Sequence, residues 1–200
     1  MSPQQRGGET RSRILQAAME CFAQRGYDGT GVAEICRRAE VTKGGFYHHF
    51  PSKQAVFLEL LNRWLAGLDT QLEAVRAGAE SIPEGLLRMA GMVRQVFEAA
   101  GGQLPIFLEF LAQAGHDPAV WRATIEPYQR YRAFFRDMIE AGIAEGTLRP
   151  IDPEIGANLI VSSAVGLVLQ GMLDPQGADW GQVAEESMHM LLESLERKEK

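Results

Sequence analysis

Apolar side chains recur along this chain every three or four residues, which is the spacing of one face of an α-helix. In the first segment the apolar stripe runs through Ile14, Ala18, Cys21 and Phe22. No stretch shows the period-two alternation, rich in β-branched and aromatic residues, that indicates a strand. The pattern therefore predicts an all-α protein of about nine helices.

Capping residues and helix breakers predict where these helices begin and end. We expect Thr10 to cap the first helix and Gly26 to end it, while Ser81 and Glu84 form a capping box. Two Asp-Pro pairs, at 117–118 and 152–153, place a capping acid before a proline at the first helical position, and Asp179 caps the last helix. The predicted helices span approximately 10–26, 32–39, 43–48, 52–78, 81–101, 104–114, 118–145, 153–173 and 179–196.

Two of the long helices carry further features. The fourth, capped by Ser52, has a heptad stripe whose members are separated by three and four residues in turn: Leu58, Leu61, Leu65, Leu68, Leu72 and Val75. The seventh contains Pro127, at which we expect a break or a kink.

The segment from Ile155 to Leu173 contains no charged residue and could be mistaken for a membrane span. It contains four polar side chains, however, and acids rather than basic residues flank it, which argues against a single span. No charged-then-apolar leader opens the sequence. We interpret the segment as a buried helix of a cytoplasmic protein.

Charge is distributed unevenly along the 200 residues, whose net charge is −6. Residues 1–60 carry eight basic and six acidic side chains, a net of +2, whereas the remaining 140 carry twelve basic and twenty acidic side chains, a net of −8. This asymmetry suggests that the N-terminal part meets a polyanion while the rest keeps the protein soluble.

Residues 30–53, TGVAEICRRAEVTKGGFYHHFPSK, have the pattern of two short helices joined by a tight turn. Inward positions are apolar, and small residues allow the helices to cross closely, as in a helix-turn-helix. Gly44 and Gly45 each cost the second helix about 1 kcal/mol relative to alanine. That cost is explained if bare backbone must approach a partner closely.

The run from Val41 to Phe50, VTKGGFYHHF, followed by Ser52-Lys53, resembles the recognition-helix signature of the TetR family of repressors. Gly26-Tyr27 and the segment 30–39 resemble the family's first two helices, and the close match covers roughly residues 10–60. The resemblance implies a three-helix DNA-binding head over residues 1–51, with 1–8 flexible, and a larger helical bundle over 52–200 for effector binding and dimerisation. It also implies a ligand-responsive, sequence-specific regulator, a repressor that a small effector releases from a palindromic operator.

By the same resemblance, Lys43 and Gly44 should approach bases with His49 close to them. Phosphate contacts should come mainly from Thr30, Thr42, Tyr47, His48 and Lys53. Phe46 and Phe50 are expected in the core, and Arg37 and Arg38 either form a solvated face or contact DNA. Glu40 stands at the turn position where many helix-turn-helix motifs have glycine.

The last two predicted helices offer a dimer surface, because the uncharged helix is rich in small residues that permit close approach. In TetR-like proteins the last two helices of each subunit form a four-helix interface. The residues expected there are Gly156, Ser163, Gly166, Leu167, Leu191 and Leu195. The alternative is a helix in the core of a monomer.

Most of the aromatic residues between positions 64 and 138 recur at helical spacing, together with methionines. These residues form either plain core or an effector pocket, and the resemblance favours a pocket for an apolar or aromatic small molecule. The candidate lining is Trp64, Met89, Met92, Phe97, Phe107, Phe110, Trp121, Tyr128, Tyr131, Phe135 and Met138. Candidate polar contacts are Arg94, Glu109, Gln113 and His116.

Two other classes of function are considered. An enzyme is disfavoured because no nucleophile-elbow, Walker or zinc motif occurs, so we expect no cofactor and no metal. A helical adaptor whose head binds another protein remains the alternative to a DNA-binding regulator. Cys21 and Cys36 lack metal-ligand spacing and are expected to be buried, reduced thiols.

Overall fold

The structure is a computed structural model that describes residues 3–99 and 112–195, with side chains at 7–94 and 112–195. The described residues form α-helices and no β-strand, which confirms the predicted all-α class. The helices are α1 (Pro3–Arg25), α2 (Val32–Arg38), α3 (Lys43–His49), α4 (Lys53–Gly78), α5 (Ile82–Ala99), α6 (Pro118–Glu145), α7 (Pro153–Leu173) and α8 (Trp180–Leu195). The predicted helix over 104–114 lies largely outside the described residues, although residues 112–114 are helical.

Most of the predicted caps are present as hydrogen bonds. The backbone N–H of Ala55 donates to Ser52 Oγ at 3.1 Å, and Asp152 accepts from the N–H of Glu154 at 2.9 Å. Asp179 Oδ1 likewise accepts from the N–H of Gln182 at 3.0 Å. These side chains satisfy donors that the first turn of a helix leaves unpaired, so the sequence located these helix starts correctly.

The structure corrects two expectations about helix continuity. The first helix begins at Pro3, so Thr10 lies inside it rather than at its cap. α6 continues from Pro118 to Glu145 through Pro127, so the helix does not break there, and the alternative of a kink stays a prediction. A proline inside a helix costs about 3 kcal/mol, but α6 buries Val120 before Pro127 and Ile139 after it, so packing on both sides holds the helix together.

The described residues group into two compact units. One contains residues 3–66 and 112–124, and the other contains residues 67–99 and 125–195. The predicted division at residues 51 and 52 differs from this grouping, because the first half of α4 and the start of α6 belong with α1, α2 and α3. We call the first group the head unit and the second the body unit.

The core of the head unit is apolar and aromatic. Phe22, Tyr27 and Phe57 form a cluster with ring centroids 4.5–5.6 Å apart, in tilted and edge-on arrangements that aromatic pairs prefer. Cys21 and Cys36 are buried free thiols, as expected, and burial raises the pKa of both. α1, α2 and α3 are thereby held as one rigid support for the side chains at its surface.

The core of the body unit joins α4, α5, α6, α7 and α8 in one apolar cluster. Its fully buried members include Leu86, Met138, Ile139 and Leu148. Leu72 from the predicted heptad stripe is buried in it, with Leu68 and Val75 packed alongside, so this part of the stripe faces inward as predicted. α5 packs most extensively against α8.

α7 is less buried than the sequence indicated. Within the described residues it is the helix that, by length and composition alone, could cross a membrane, and 28% of its most apolar window is buried. Its outward side chains Ile155, Leu159, Val165, Leu169 and Leu173 are each between 40 and 72% exposed. The alternative that this segment is a helix in the core of a monomer does not describe the chain, because one apolar face of α7 is left uncovered.

Candidate nucleic-acid interface

α2 and α3 are joined by a tight turn over residues 39–42. Glu40 occupies its left-handed position at φ 53°, and the N–H of Val41 donates to the carbonyl of Cys36 at 3.0 Å. Left-handed backbone is the conformation that glycine adopts most easily. Glu40 therefore occupies the turn position where many helix-turn-helix motifs have glycine, as the sequence comparison with such motifs indicated.

Buried side chains hold the two helices together at this turn. Ile35 from α2 and Phe46 from α3 are fully buried, and Phe50 directly after α3 is 2% exposed. The Phe46 ring lies 6.1 Å from that of Phe50. Both phenylalanines are core residues, as predicted, and they fix which side of α3 faces outward.

Thr42 begins α3. Its Oγ1 accepts a hydrogen bond from the N–H of Gly45 at 3.0 Å, which is an N-cap of the usual kind. α3 has only seven residues, and two of them are glycines, which destabilise a helix. The Thr42 cap offsets part of that loss of helix stability. Thr42 itself is exposed, so its hydroxyl hydrogen stays available for a phosphate oxygen.

The outer side of α3 carries the predicted contact residues. Lys43, Gly44 and His48 are exposed, and Tyr47 is 53% exposed although it is a large aromatic side chain. These residues combine a cation, a phenol, an imidazole and bare backbone on one short helix, which suits phosphate oxygens and base edges.

His49 lies closer to the protein than its neighbour. It is half-buried, and a Cβ added to Gly7 of α1 would lie 4.0 Å from its Cε1. Burial first, and then the positive potential of His48 and Arg11, lowers the pKa of His49. At neutral pH it is therefore an uncharged imidazole that can donate or accept a hydrogen bond.

Thr30 requires a correction. Its side chain is 1% exposed, and its hydroxyl donates to the carbonyl of Gly26 at 2.8 Å. Gly26, at φ 71°, ends α1. Thr30 thus ties the end of α1 to the segment before α2, and its side chain is not accessible to a phosphate.

Lys53 is partly committed within the protein. Its Nζ donates to the carbonyl of Tyr27 at 2.6 Å and lies 4.0 Å from the centre of the Tyr27 ring. This cation–π contact and the hydrogen bond secure the loop between α1 and α2 to the start of α4. A phosphate contact by Lys53 remains a prediction.

Arg11, which the sequence analysis did not single out, packs against the residue that follows α3. The Arg11 guanidinium donates to Glu59 at 2.8 Å and lies 4.8 Å from the centre of the Phe50 ring. Hydrogen bonding to Arg11 holds the pKa of Glu59 below its usual range. No local pattern could reveal a pair separated by 48 residues in sequence.

The two arginines of α2 pair with acids on the head unit. Arg37 lies 3.7 Å from Glu34, and Arg38 lies 3.5 Å from Glu20. These exposed pairs are weak, so both arginines could exchange an acid for a phosphate at little cost. A solvated face and a DNA contact both stay open.

The predicted effector residues fall into three groups. Met89, Met92, Phe135 and Met138 are buried in the apolar cluster of the body unit, with Tyr128 and Tyr131 packed against it. In the head unit Trp64 is 40% and Trp121 is 52% exposed. The side chains of Phe97, Phe107, Phe110 and Glu109 lie outside the described residues.

Two of the polar candidates for the pocket, Arg94 and Gln113, have hydrogen-bond partners of their own. Arg94 donates to Asp179 at 3.1 Å, whereas Gln113 donates to Asp28 of the head unit at 3.4 Å. His116 is exposed. Tyr131 is different, because its hydroxyl is buried, and burial first and then the neighbouring Asp69 carboxylate raise its pKa.

The predicted dimer residues differ in their surroundings. Gly156 and Leu195 are buried within the subunit, where a Cβ on Gly156 would lie 3.0 Å from Ile151 Cδ1. Ser163 is exposed, while Gly166, Leu167 and Leu191 are half-buried. The uncovered apolar face consists of other α7 residues, Ile155, Leu159, Val165, Leu169 and Leu173, which we call the α7 face.

Two family models match this chain. The model described as bacterial regulatory proteins, tetR family, matches residues 14–60, which include α2, α3 and the turn between them. The model of the C-terminal region of BetI-type transcriptional repressors matches residues 87–196.

Relatives resemble the chain over most of its length. It is 34% identical over 194 residues to the A-factor receptor protein of Streptomyces griseus, a match that covers 96% of this chain and 66% of that protein. It is 26% identical over 162 residues to the transcriptional repressor DhaR of Mycobacterium sp. strain GP1, covering 80% and 81%.

Solved structures share the fold. A transcriptional regulator from Saccharomonospora viridis in complex with choline superimposes with a TM-score of 0.84 at 20% identity, covering 96% of this chain and all of that chain. FadR from Bacillus subtilis in complex with stearoyl-CoA gives 0.80 at 17% identity, covering 90% and 97%.

Proposed function

Since the chain belongs to the TetR family of bacterial regulatory proteins, we propose that it represses transcription by binding a palindromic operator and that a small effector releases it. The observation that carries this proposal is the outer side of α3. There an N-capped helix on a rigid apolar support presents Lys43, Tyr47 and His48 to solvent. Side chains of this kind on a short helix fit the major groove.

The effector class is proposed from the body unit and from similar proteins. Similar folds bind ligands as different as choline and stearoyl-CoA, so the fold alone does not select one. The buried cluster around Phe135 and Met138 offers mostly apolar contacts. We infer a small molecule with a substantial apolar part, bound beside that cluster.

A second copy of the chain is the proposed cover for the α7 face. Five large apolar side chains exposed on one helix are costly in water, and about 25 cal/mol is recovered for each Å² that a partner buries. A twofold pair also places two copies of α3 on two half-sites of a palindrome. We therefore propose a homodimer through α7 and α8.

Dimerisation is tested by analytical ultracentrifugation. Leu169→Glu should convert the dimer to a monomer, because it introduces a charge into the centre of the α7 face. Ala74→Glu introduces the same charge at an exposed position of α4, so it is the matched control and should leave the dimer intact. Dimers that persist in Leu169→Glu would place the interface elsewhere.

DNA binding is tested by selecting bound duplexes from a random library and then measuring the affinity of the selected duplex at several salt concentrations. We expect a palindrome and a steep decrease in affinity with salt. Lys43→Ala should weaken binding, and the slope of log affinity against log salt should decrease by roughly 0.9 for each phosphate that the variant no longer neutralises. Arg122→Ala is the matched control, since it removes an exposed cation from the head unit outside α3.

The same experiment separates the alternative function. A helical adaptor that binds another protein would enrich no duplex, and its weak DNA affinity would not depend on Lys43. We propose no catalytic activity, since the family is regulatory. The proposed site of action is the cytoplasm, where a bacterial operator is found.

A further inference from the structure

The side chain of Lys53 is held by two groups of a single residue. Its Nζ donates to the carbonyl of Tyr27 at 2.6 Å and lies over the Tyr27 ring, 4.0 Å from its centre. Both groups are uncharged, so these two contacts fix the ammonium without cancelling its charge. Lysine has one of the most mobile side chains, and the fold removes much of that freedom at this position. Lys53 therefore presents its charge at a defined point of the head unit.

The Tyr27 ring that makes this contact is itself fixed. Its centre lies 5.6 Å from that of Phe22 and 4.5 Å from that of Phe57, and both phenylalanines are buried. Burial first, and then the carboxylates of Asp117 and Asp28, raises the pKa of Tyr27, so its phenol is neutral at physiological pH. The ring thus keeps the electron-rich face that attracts a cation, and it joins the ammonium to the core of the head unit.

The neighbours of Lys53 in sequence fix its backbone. Directly before it, Ser52 caps α4, since its Oγ accepts from the N–H of Ala55 at 3.1 Å. Directly after it, Gln54 Nε2 donates to Asp117 Oδ2 at 2.6 Å, a contact that lies within the head unit. A hydrogen bond to a carboxylate is stronger than one between neutral groups. Lys53 is thus defined at both ends, its Cα by these neighbours and its Nζ by the ring contact.

This order matters because Lys53 lies four residues after the end of α3, the helix proposed to enter the major groove. Phosphate contacts fix the register of a protein on the duplex, and they do so only as well as the cation itself is placed. A mobile lysine loses its rotamer freedom when it binds DNA, which weakens the contact, whereas an ordered lysine has little left to lose. The ring contact therefore favours a phosphate contact by Lys53 before the duplex binds.

We propose that Tyr27 is a positioning residue that places the ammonium of Lys53 for a phosphate of the operator. The inference rests on the proposed function, since it requires an operator. In this mechanism Tyr27 acts through Lys53 and does not itself touch DNA. Removing its aromatic face should therefore weaken operator binding only where Lys53 is present, and that dependence distinguishes positioning from a general effect on the stability of the head unit.

A double-variant cycle on the selected duplex measures this dependence. Tyr27→Leu removes the aromatic face and keeps an apolar side chain, while Lys53→Met removes the charge and keeps an unbranched stem. Each single variant should bind the duplex about five- to tenfold more weakly than the wild type, and the double variant should bind within about twofold of Lys53→Met. Tyr27→Phe retains the ring face and should bind within about twofold of the wild type.

The salt dependence of the affinity supplies a second readout. In Lys53→Met the slope of log affinity against log salt should decrease by roughly 0.9 for each phosphate that is no longer neutralised. The slope should also decrease in Tyr27→Leu, because a displaced ammonium neutralises the phosphate incompletely. An unchanged slope in Lys53→Met would overturn the proposal, and so would equal weakening by Tyr27→Leu in the presence and absence of Lys53.

A second replacement with the shape of a phenyl ring keeps the test valid if Tyr27→Leu does not fold. Pentafluorophenylalanine in place of Tyr27 has nearly the outline of phenylalanine, but its fluorines reverse the charge of the ring face, which then repels a cation. This protein should bind the duplex about threefold or more weaker than Tyr27→Phe, and Lys53→Met should abolish the difference. Equal affinities of the two proteins would contradict the proposal.

The two levels of inference fail in different ways. If Lys43→Ala weakens binding of the selected duplex and no variant of Tyr27 does, the positioning role is wrong and the proposed function stands. If the wild-type protein selects no duplex at all, the proposed function is wrong and the positioning role falls with it.

Discussion

Glu40→Gly should stabilise the head unit, because Glu40 holds a left-handed backbone conformation at φ 53° in the turn between α2 and α3. A residue with a Cβ pays about 1–2 kcal/mol to adopt that conformation, and glycine does not. Glycine also increases the conformational entropy of the unfolded chain, which lowers the free energy of unfolding by about 0.4–1 kcal/mol and offsets part of this gain.

The side chain of Glu40 contributes little against this. It forms an ion pair with Arg13 at 4.0 Å, and both side chains are more than half exposed. Exposed pairs of this kind contribute about 0–1 kcal/mol. The net expectation for Glu40→Gly is a gain of about 0.5–1 kcal/mol in the free energy of unfolding.

Thermal and urea denaturation, followed by circular dichroism, measure this gain. For a protein of about this length, 1 kcal/mol corresponds to a midpoint shift of about 2–4 °C. Glu40→Ala is the control, since it removes the ion pair and keeps the Cβ, so it should be neutral or slightly destabilising. If Glu40→Gly is no more stable than Glu40→Ala, backbone conformation is not what limits stability at this turn.

Three further outcomes are expected. Thr42→Ala should cost about 1 kcal/mol of stability by removing the cap of α3 and should weaken operator binding, both measurable on one preparation, whereas Thr42→Ser should retain both. Gly142→Ala should cost about 1–3 kcal/mol because its Cβ would lie 2.7 Å from Cδ1 of buried Leu148, whereas Gly67→Ala, with open space around it, should be neutral or stabilising. The lowered pKa of Glu59 adds stability that is present above its unfolded pKa, about 4.5, and is lost as pH falls through the folded value, so the acid unfolding curve of Glu59→Gln should be flatter there.

Local features of this fold could be predicted from the sequence. Helix starts at Ser52, Asp152 and Asp179 depend on side chains a few residues from the backbone groups they bind, so the pattern is sufficient. The stripe on α4 and the burial of Phe46 follow from periodicity for the same reason.

Features that depend on distant residues could not be predicted. Thr30 has the composition of a phosphate contact, but only the folded end of α1 shows that its hydroxyl is used by Gly26. The pairs Arg11–Glu59 and Gln54–Asp117 join residues 48 and 63 positions apart and leave no local signal. A break at Pro127 was expected wrongly, because helix propensity omits the packing of the residues around the proline.

The two buried thiols have a consequence for the chemistry of the protein in a changing redox environment. Alkylating reagents and peroxides attack the thiolate, and a thiol that is both shielded from solvent and harder to deprotonate reacts slowly with either. Cys21 is 1% and Cys36 is 5% exposed, and these are the chain's two cysteines. The DNA-reading unit should therefore keep its activity under mild oxidants, and a cysteine introduced at the surface would be the fast-reacting site for a fluorescent or spin label without removal of the native pair.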